Sequence, residues 1–235
     1  MNVYPVSMML KVKGKEKSVD FNPRVLIIAG FTGKDRASAE AHLKELAEMG
    51  IPVPEEIPSF YPIKASLATQ GDSIEVTSSE SSGEAEPVLI TTGGSQYIAV
   101  GSDHTARDLE KVSIAESKGA CRKPLSNEAF DLDFVKNNWN TMELRCYVER
   151  NGKMELYQDG PVSGLTHVED LEKKLKQNNP EIDMSESVMF LGTVSLLTGS
   201  FVYGSRYRVE LIEKVSGQKI SHEYGVIVKK GRTEG

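Results

Sequence analysis

Three carboxylates stand at spacings that bring them onto one patch of a single hairpin. Glu84 and Glu86 are two residues apart, which on a strand places both side chains on one face. Gly93-Gly94 follows, a dipeptide suited to the two-residue loop of a hairpin. With those glycines as the loop, Thr92 faces Ser95 and Glu84 faces Asp103. The facing Cβ atoms would then be about 5 Å apart, with Glu86 on the diagonal. Like charges directly opposite destabilise a strand pair. A hard cation with oxygen ligands offsets that repulsion, and three carboxylates plus water suit Mg2+ or Mn2+. No thiol or clustered imidazole points to zinc. The same spacing also describes solvated charges on an exposed hairpin, and a one-residue slip of register would separate the acids. Pro87 cannot donate to a strand ladder, so it weakens the pairing unless this stretch is a sheet edge.

His42 and Glu45 lie three apart on a predicted helix and are therefore neighbours on its surface. A carboxylate beside an imidazole fixes its tautomer and raises its basicity; a solvated helix face is the plainer alternative. Arg107 has Asp108 and Glu110 within reach as structural partners. His104 alternates to the strand face opposite Asp103 and is left out of the candidate site. Trp139 and Tyr147 read as core. Cys121 has no His/Asn pattern to support a thiol mechanism.

These residues need a scaffold, and the pattern supplies a β-rich one. Residues 8–12 and 18–21 read as strands around Gly14, and 25–29 as a short buried strand ended by Gly30. A helix is expected over 34–49, with Ala39, Leu43 and Leu46 on one side and Gly50 as its stop. Pro52, Pro54 and Pro58 keep the following chain extended. Strands are expected at 74–77, 84–90, 96–100, 142–149, 153–158, 188–191, 207–212 and 223–228. One helix interrupts them, opening on a Thr166/Glu169 capping box and running to about Lys176 with Val168, Leu171 and Leu175 apolar. The Ser-rich stretch 77–83 lies between strands and reads as an ordered loop.

The 235 residues suffice for one large domain or two small ones, and a net charge of −6 without a basic run argues against a nucleic-acid surface. Two cysteines in separate segments form neither a zinc pattern nor a disulfide framework, so a reducing cytoplasm is expected. Residues 1–13 lack the apolar core of a leader, and no apolar run is long enough to span a membrane.

The segment Gly83-Glu84-Ala85-Glu86-Pro87-Val88-Leu89-Ile90, with Gly101-Ser102-Asp103-His104-Thr105-Ala106-Arg107-Asp108, resembles the signature of the fumarylacetoacetate hydrolase (FAH) superfamily. There, a Glu-x-Glu strand and an Asp-x-Ser/Thr-Ala-Arg-Asp segment supply the metal ligands. The resemblance implies that Glu84, Glu86 and Asp103 hold a divalent metal, Mg2+ or Mn2+. Other pieces follow in the family's order over roughly residues 24 to 228. Phe60-Tyr61-Pro62-Ile63-Lys64 resembles the Phe-x-Lys-Pro segment. Leu156-Tyr157-Gln158-Asp159-Gly160 resembles the segment whose Gln faces substrate. Phe190-Leu191-Gly192-Thr193 resembles the Gly-Thr-Pro segment whose Thr binds a substrate carboxylate. Lys118 corresponds to the active-site lysine, with Lys123 as its rival. The chain departs from the pattern in a shorter gap between Glu86 and Asp103, in Val194 where the family has Pro, and in lacking an Asn-Tyr pair before the catalytic helix.

The resemblance implies an α+β, β-rich fold, a mixed β-sandwich roll of the FAH C-terminal type with few helices. A small N-terminal β extension would cover 1–23 and the catalytic domain 24–235. The implied activity is hydrolytic cleavage of a C–C bond in a small anionic 2-oxo acid or β-dicarbonyl compound by a cytoplasmic homodimer, with no nucleic-acid or membrane partner. His42, oriented by Glu45 on a lid, would activate water. Lys118, Lys64, Gln158, Gly192 and Thr193 would hold substrate oxygens, the carbanion leaving as an enolate. Oxaloacetate-type decarboxylation and keto–enol tautomerisation would use the same residues. A metal-stabilised binding module is the non-enzymatic alternative.

Overall fold

The computed structural model describes residues 7–15, 17–37, 43, 44, 47, 53, 54 and 56–229. His42 and Glu45 lie outside these residues. Of the helix expected over 34–49, the described Arg36, Ala37, Leu43, Lys44 and Ala47 are helical. No helix among the described residues is long and apolar enough to cross a membrane.

Two sheets carry the fold. The nine-stranded sheet runs β2 (Ser18–Phe21), β1 (Met8–Val12), β11 (Lys123–Asp131), β9 (Ser95–Ser102), β8 (Ala85–Thr92), β14 (Ser187–Phe190), β3 (Val25–Gly30) and β4 (Ser59–Ile63), with β5 (Ala68–Thr69) paired to β11. The five-stranded sheet runs β13 (Lys153–Pro161), β12 (Met142–Arg150), β15 (Arg206–Glu213), β16 (Lys219–Val228) and β6 (Ser73–Val76). A third, two-residue pairing joins β7 (Ser81–Ser82) to β10 (Thr105–Ala106), so the Ser-rich stretch is ordered where it meets the hairpin. The β-rich mixed architecture expected from the sequence is the one found.

Burial of both faces of the large sheet explains its composition. On β8, Leu89 joins an apolar cluster with residues of the five-stranded sheet, such as Leu144, Val209 and Leu211. Its neighbours Val88 and Ile90 face the opposite cluster, with Leu10, Phe21 and Leu125. A strand covered on both sides reads as a continuous apolar run rather than an alternating one. The N-terminal hairpin is integrated into this sheet through the parallel pairing of Lys11 with Glu128.

Short helices follow the hairpin: α1 (Arg107–Glu110), α2 (Ile114–Gly119) and α3 (Leu132–Asn138), with α4 (Val168–Asn178) later in the chain. One local expectation is corrected, and the condition set on Pro87 is resolved. The Thr166/Glu169 capping box does not form: His167 is the residue before the first turn of α4 and supplies no side-chain cap. The Thr166 hydroxyl donates instead to the Thr32 carbonyl at 2.6 Å, a tertiary bond that outcompetes the local one. Pro87 lies not at an edge but between β9 and β14. A residue's N–H and C=O point the same way along a strand, and the Pro87 carbonyl accepts from Leu191 N at 3.1 Å, just past the end of β14. The missing donor therefore faces the place where the neighbouring ladder has already ended.

Candidate active site

The Gly93-Gly94 hairpin has the expected register. Thr92 pairs with Ser95, Glu86 with Gly101 and Ala85 with Ser102, and Asp103 N donates to the Glu84 carbonyl at 3.0 Å. Both turn glycines adopt positive φ, 55° and 73°, as a type I′ turn requires. Gly101 opposite Glu86 is forced by close packing: a Cβ there would lie 2.7 Å from Phe190 Cε1 and 2.8 Å from Val88 Cγ2.

The three acids gather at one end of the central strands, and each is held differently. Asp103, 1% exposed, is gripped by two ammonium groups: Lys118 Nζ donates to its Oδ2, and Lys123 Nζ lies 2.9 Å from its Oδ1. Burial alone would raise the Asp103 pKa, but the two lysines hold it well below the usual carboxylate range. Glu84 turns to Arg107, whose guanidinium spans Glu84 Oε2 (2.7 Å), Glu110 Oε2 (2.8 Å) and Ser82 Oγ (2.8 Å). The expected Arg107–Glu110 pair is thus present and shared with Glu84. Glu86 accepts from Gly192 N at 2.8 Å and has no ion pair among the described residues. Burial, and then the Asp103 charge, push its pKa well above the ordinary value.

Lys118 sits at the end of α2, a turn opened by the Ser113 side chain accepting from Glu116 N at 3.2 Å. Burial would lower its pKa, yet the charges of Asp103, Glu110 and Glu84 raise it. Lys123 begins β11, is fully buried and also donates to the His104 carbonyl at 2.5 Å; burial lowers its pKa. Both sequence candidates for the lysine therefore contact Asp103, but only the Lys118 side chain retains some exposure, 10% against 0%.

Gln158 and Thr193 are joined to the acid strand. Gln158 Oε1 accepts from Ala85 N at 2.9 Å, and its Nε2 donates to Thr193 Oγ1 (2.8 Å) and the Val194 carbonyl (2.7 Å). Thr193 Oγ1 donates to the Ala85 carbonyl at 2.8 Å. Both donors of the Gln158 amide are thus used within the chain. Gly192 has φ of 99°, and a Cβ there would meet Thr32 Oγ1 at 1.8 Å, so only glycine lets its N–H reach Glu86. Lys64 is exposed after β4, and no hydrogen bond or ion pair of its side chain joins it to the acids.

A second constellation went unread in the sequence. His104, fully buried, shares hydrogen bonds with Tyr224 OH and Ser81 Oγ, both at 3.0 Å. Tyr224, from the other sheet, also bonds Ser102 Oγ at 2.7 Å. Burial, then the charges of Lys123 and Arg107, lower the His104 pKa to about 3, so it is neutral. The alternation that turned His104 away from Asp103 was the available signal; what it meets there depends on a strand more than a hundred residues later.

A family model, DUF2848, described as a protein of unknown function, matches residues 29–224. The chain belongs to this family. The DUF2848 region contains every candidate residue above, from Thr32 to Tyr224. No curated protein matches the chain. Among solved structures, it resembles a 2-keto-3-deoxy-D-arabinonate dehydratase complexed with magnesium and 2,5-dioxopentanoate, at 13% identity, 92% of this chain, 78% of that one and a TM-score of 0.64. It resembles fumarylpyruvate hydrolase from Pseudomonas aeruginosa in complex with Mn2+ and pyruvate, at 18% identity, 96% and 97% coverage and a TM-score of 0.59. It also resembles 4-oxalocrotonate decarboxylase from Pseudomonas putida G7 complexed with calcium and acetate, at 16% identity, 86% and 76% coverage and a TM-score of 0.54. The chain shares the fold of these enzymes.

Proposed function

We propose that this chain is a metal-dependent enzyme of the FAH superfamily that cleaves a C–C bond in a small anionic 2-oxo acid or β-dicarbonyl compound by hydrolysis. The observation that carries the reading is the meeting of Glu84, Glu86 and Asp103 at one end of the central strands with the Lys118 ammonium among them. The fold supports it, because a dehydratase, a hydrolase and a decarboxylase with Mg2+, Mn2+ or Ca2+ in their complexes share it.

Three carboxylates are the kind of donor a hard divalent cation takes. Among the described residues, no three His, Cys, Asp or Glu side chains stand together as a metal-holding group; Arg107 pairs with Glu84, and Lys118 and Lys123 pair with Asp103. Glu86 is the telling residue: a buried carboxylate beside Asp103 without an ion pair is ionised most readily by a nearby cation. Glu84, Glu86 and Asp103 would hold the ion. When bound, it would supply Lewis-acid polarisation of adjacent substrate oxygens.

The chain's own residues do the rest. Lys123 remains a fixed counter-ion that keeps Asp103 ionised. Lys118 is the cation that reaches substrate and stabilises negative charge as the enolate develops. Gln158 and Thr193 set the height of the acid strand against the Gly192 loop, with the Thr193 hydroxyl as the point nearest substrate. His42, oriented by Glu45, takes a proton from water. Hydrolysis, rather than dehydration, decarboxylation or tautomerisation, rests on that pair.

Glu86→Gln tests the metal reading cleanly, since the amide keeps the shape and the Gly192 hydrogen bond while removing the charge. Calorimetric titration with Mn2+ should give at least a tenfold weaker affinity, a change of about 1.4 kcal/mol. Wild-type affinity in Glu86→Gln would overturn the assignment. Acylpyruvates turned over in 18O water should carry label into a product carboxylate; unlabelled products would replace hydrolysis with one of the other enolate reactions.

A further inference from the structure

A groove of about 470 Å3 opens between the 33–36 turn, Pro58 and α4. Its charged lining is Lys34, Arg36, Lys173 and Lys174 against one acid, Asp170, in a chain whose net charge is −6. Among the described residues, none of the four cations is paired with an acid. Lys34 Nζ instead donates to the Ser163 carbonyl at 2.8 Å and lies 3.3 Å from His167 Nε2.

The walls are built rather than incidental. Asp170, Lys173, Lys174 and Gln177 follow the three- and four-residue spacing of one helix face, while Leu171 and Leu175 anchor the other face in the core. The 33–36 turn is fastened to the chain before α4 by Lys34 N to the Gly164 carbonyl (2.8 Å) and Thr166 N to the Thr32 carbonyl (2.7 Å). Four cations brought together by two fastened elements repel one another, and a multiply charged anion offsets that repulsion. Three of them are lysines, which bind phosphate oxygens as point charges, and the compact, multiply charged phosphate group can meet several of them at once.

We propose that this groove binds a small phosphate-bearing molecule. The inference does not depend on the metal reading. Inorganic pyrophosphate titrated into the full chain by calorimetry, in metal-free buffer at physiological ionic strength, is the probe. Wild type should bind it, and the double variant Lys173→Glu/Lys174→Glu should bind about a hundredfold more weakly, roughly tenfold per removed cation. Glu86→Gln should leave binding unchanged. Should the double variant not fold, Lys173→Ala, at an exposed position, should still weaken binding about tenfold. No binding to wild type, equal binding by the variants, or equally tight binding of the polycarboxylate tricarballylate would each overturn the proposal.

Discussion

Asp103 and His104 are adjacent in the chain and both buried, yet they are kept there by opposite means. Asp103 faces two ammonium groups and stays charged. His104 faces a phenol and a hydroxyl and stays neutral. A buried charge is tolerable with a counter-charge at contact distance, whereas a buried neutral ring needs only its two hydrogen bonds. The two residues lie just past the end of β9, Asp103 meeting the lysines of the candidate site and His104 meeting Tyr224 of the opposite sheet.

The largest break in this comparison should come from Asp103→Asn. It leaves Lys118 and Lys123 buried without their shared carboxylate, a loss of about 3–5 kcal/mol, read as a fall in the denaturation midpoint. A midpoint at the wild-type value would show that the lysines find other partners at no cost.

His104→Gln sharpens the neutral side. The folded pKa, about 3, lies below the ordinary 6.5. The unfolded chain therefore binds the proton first as pH falls, and stability is lost between pH 6.5 and 3. The variant lacks this titration, so its stability should fall less steeply over that window, by up to a few kcal/mol at the acid end. Parallel wild-type and variant profiles from denaturation at each pH would refute a buried neutral imidazole.

Glu84→Gln should have the smallest effect on the fold, about 1–2 kcal/mol, because Arg107 keeps Glu110 and Ser82 and Glu84, its side chain 14% exposed, is less buried than Asp103. A thermal midpoint lowered as far as that of Asp103→Asn would erase the distinction between the partly exposed and the fully buried acid.

The hairpin was legible because its information is local: two turn glycines and the alternation of Glu84 and Glu86 fix a register without knowledge of the rest of the chain. The partners of the acids were not legible in the same way. Lys123 opens β11, a strand whose run Lys-Pro-Leu-Ser-Asn-Glu-Ala-Phe-Asp has a proline, an asparagine and two acids and no alternation. It is a strand because β9, β1 and β5 pair with it. Thr166 looked like a cap because sequence shows its neighbour Glu169 and not the distant Thr32 carbonyl. The short helices α1 and α2 hold Arg107 and Lys118 by tertiary contacts and are too brief to leave a periodic trace.

Pro87 acquires a second meaning when the order of synthesis is considered. The 85–102 hairpin pairs with itself and can close as soon as it is made. Its flanking strand β14, paired in parallel with β3 through Ser187 and Val25, arrives much later. Closing such a long loop is entropically slow. During that interval, β8 presents Val88, Leu89 and Ile90 on an open edge, the kind of surface on which unfinished chains aggregate. Proline at the start of that apolar run obstructs pairing with a stranger's strand, as gatekeeper residues do. In the finished protein Pro87 is an interior residue; in the growing chain it guards an edge.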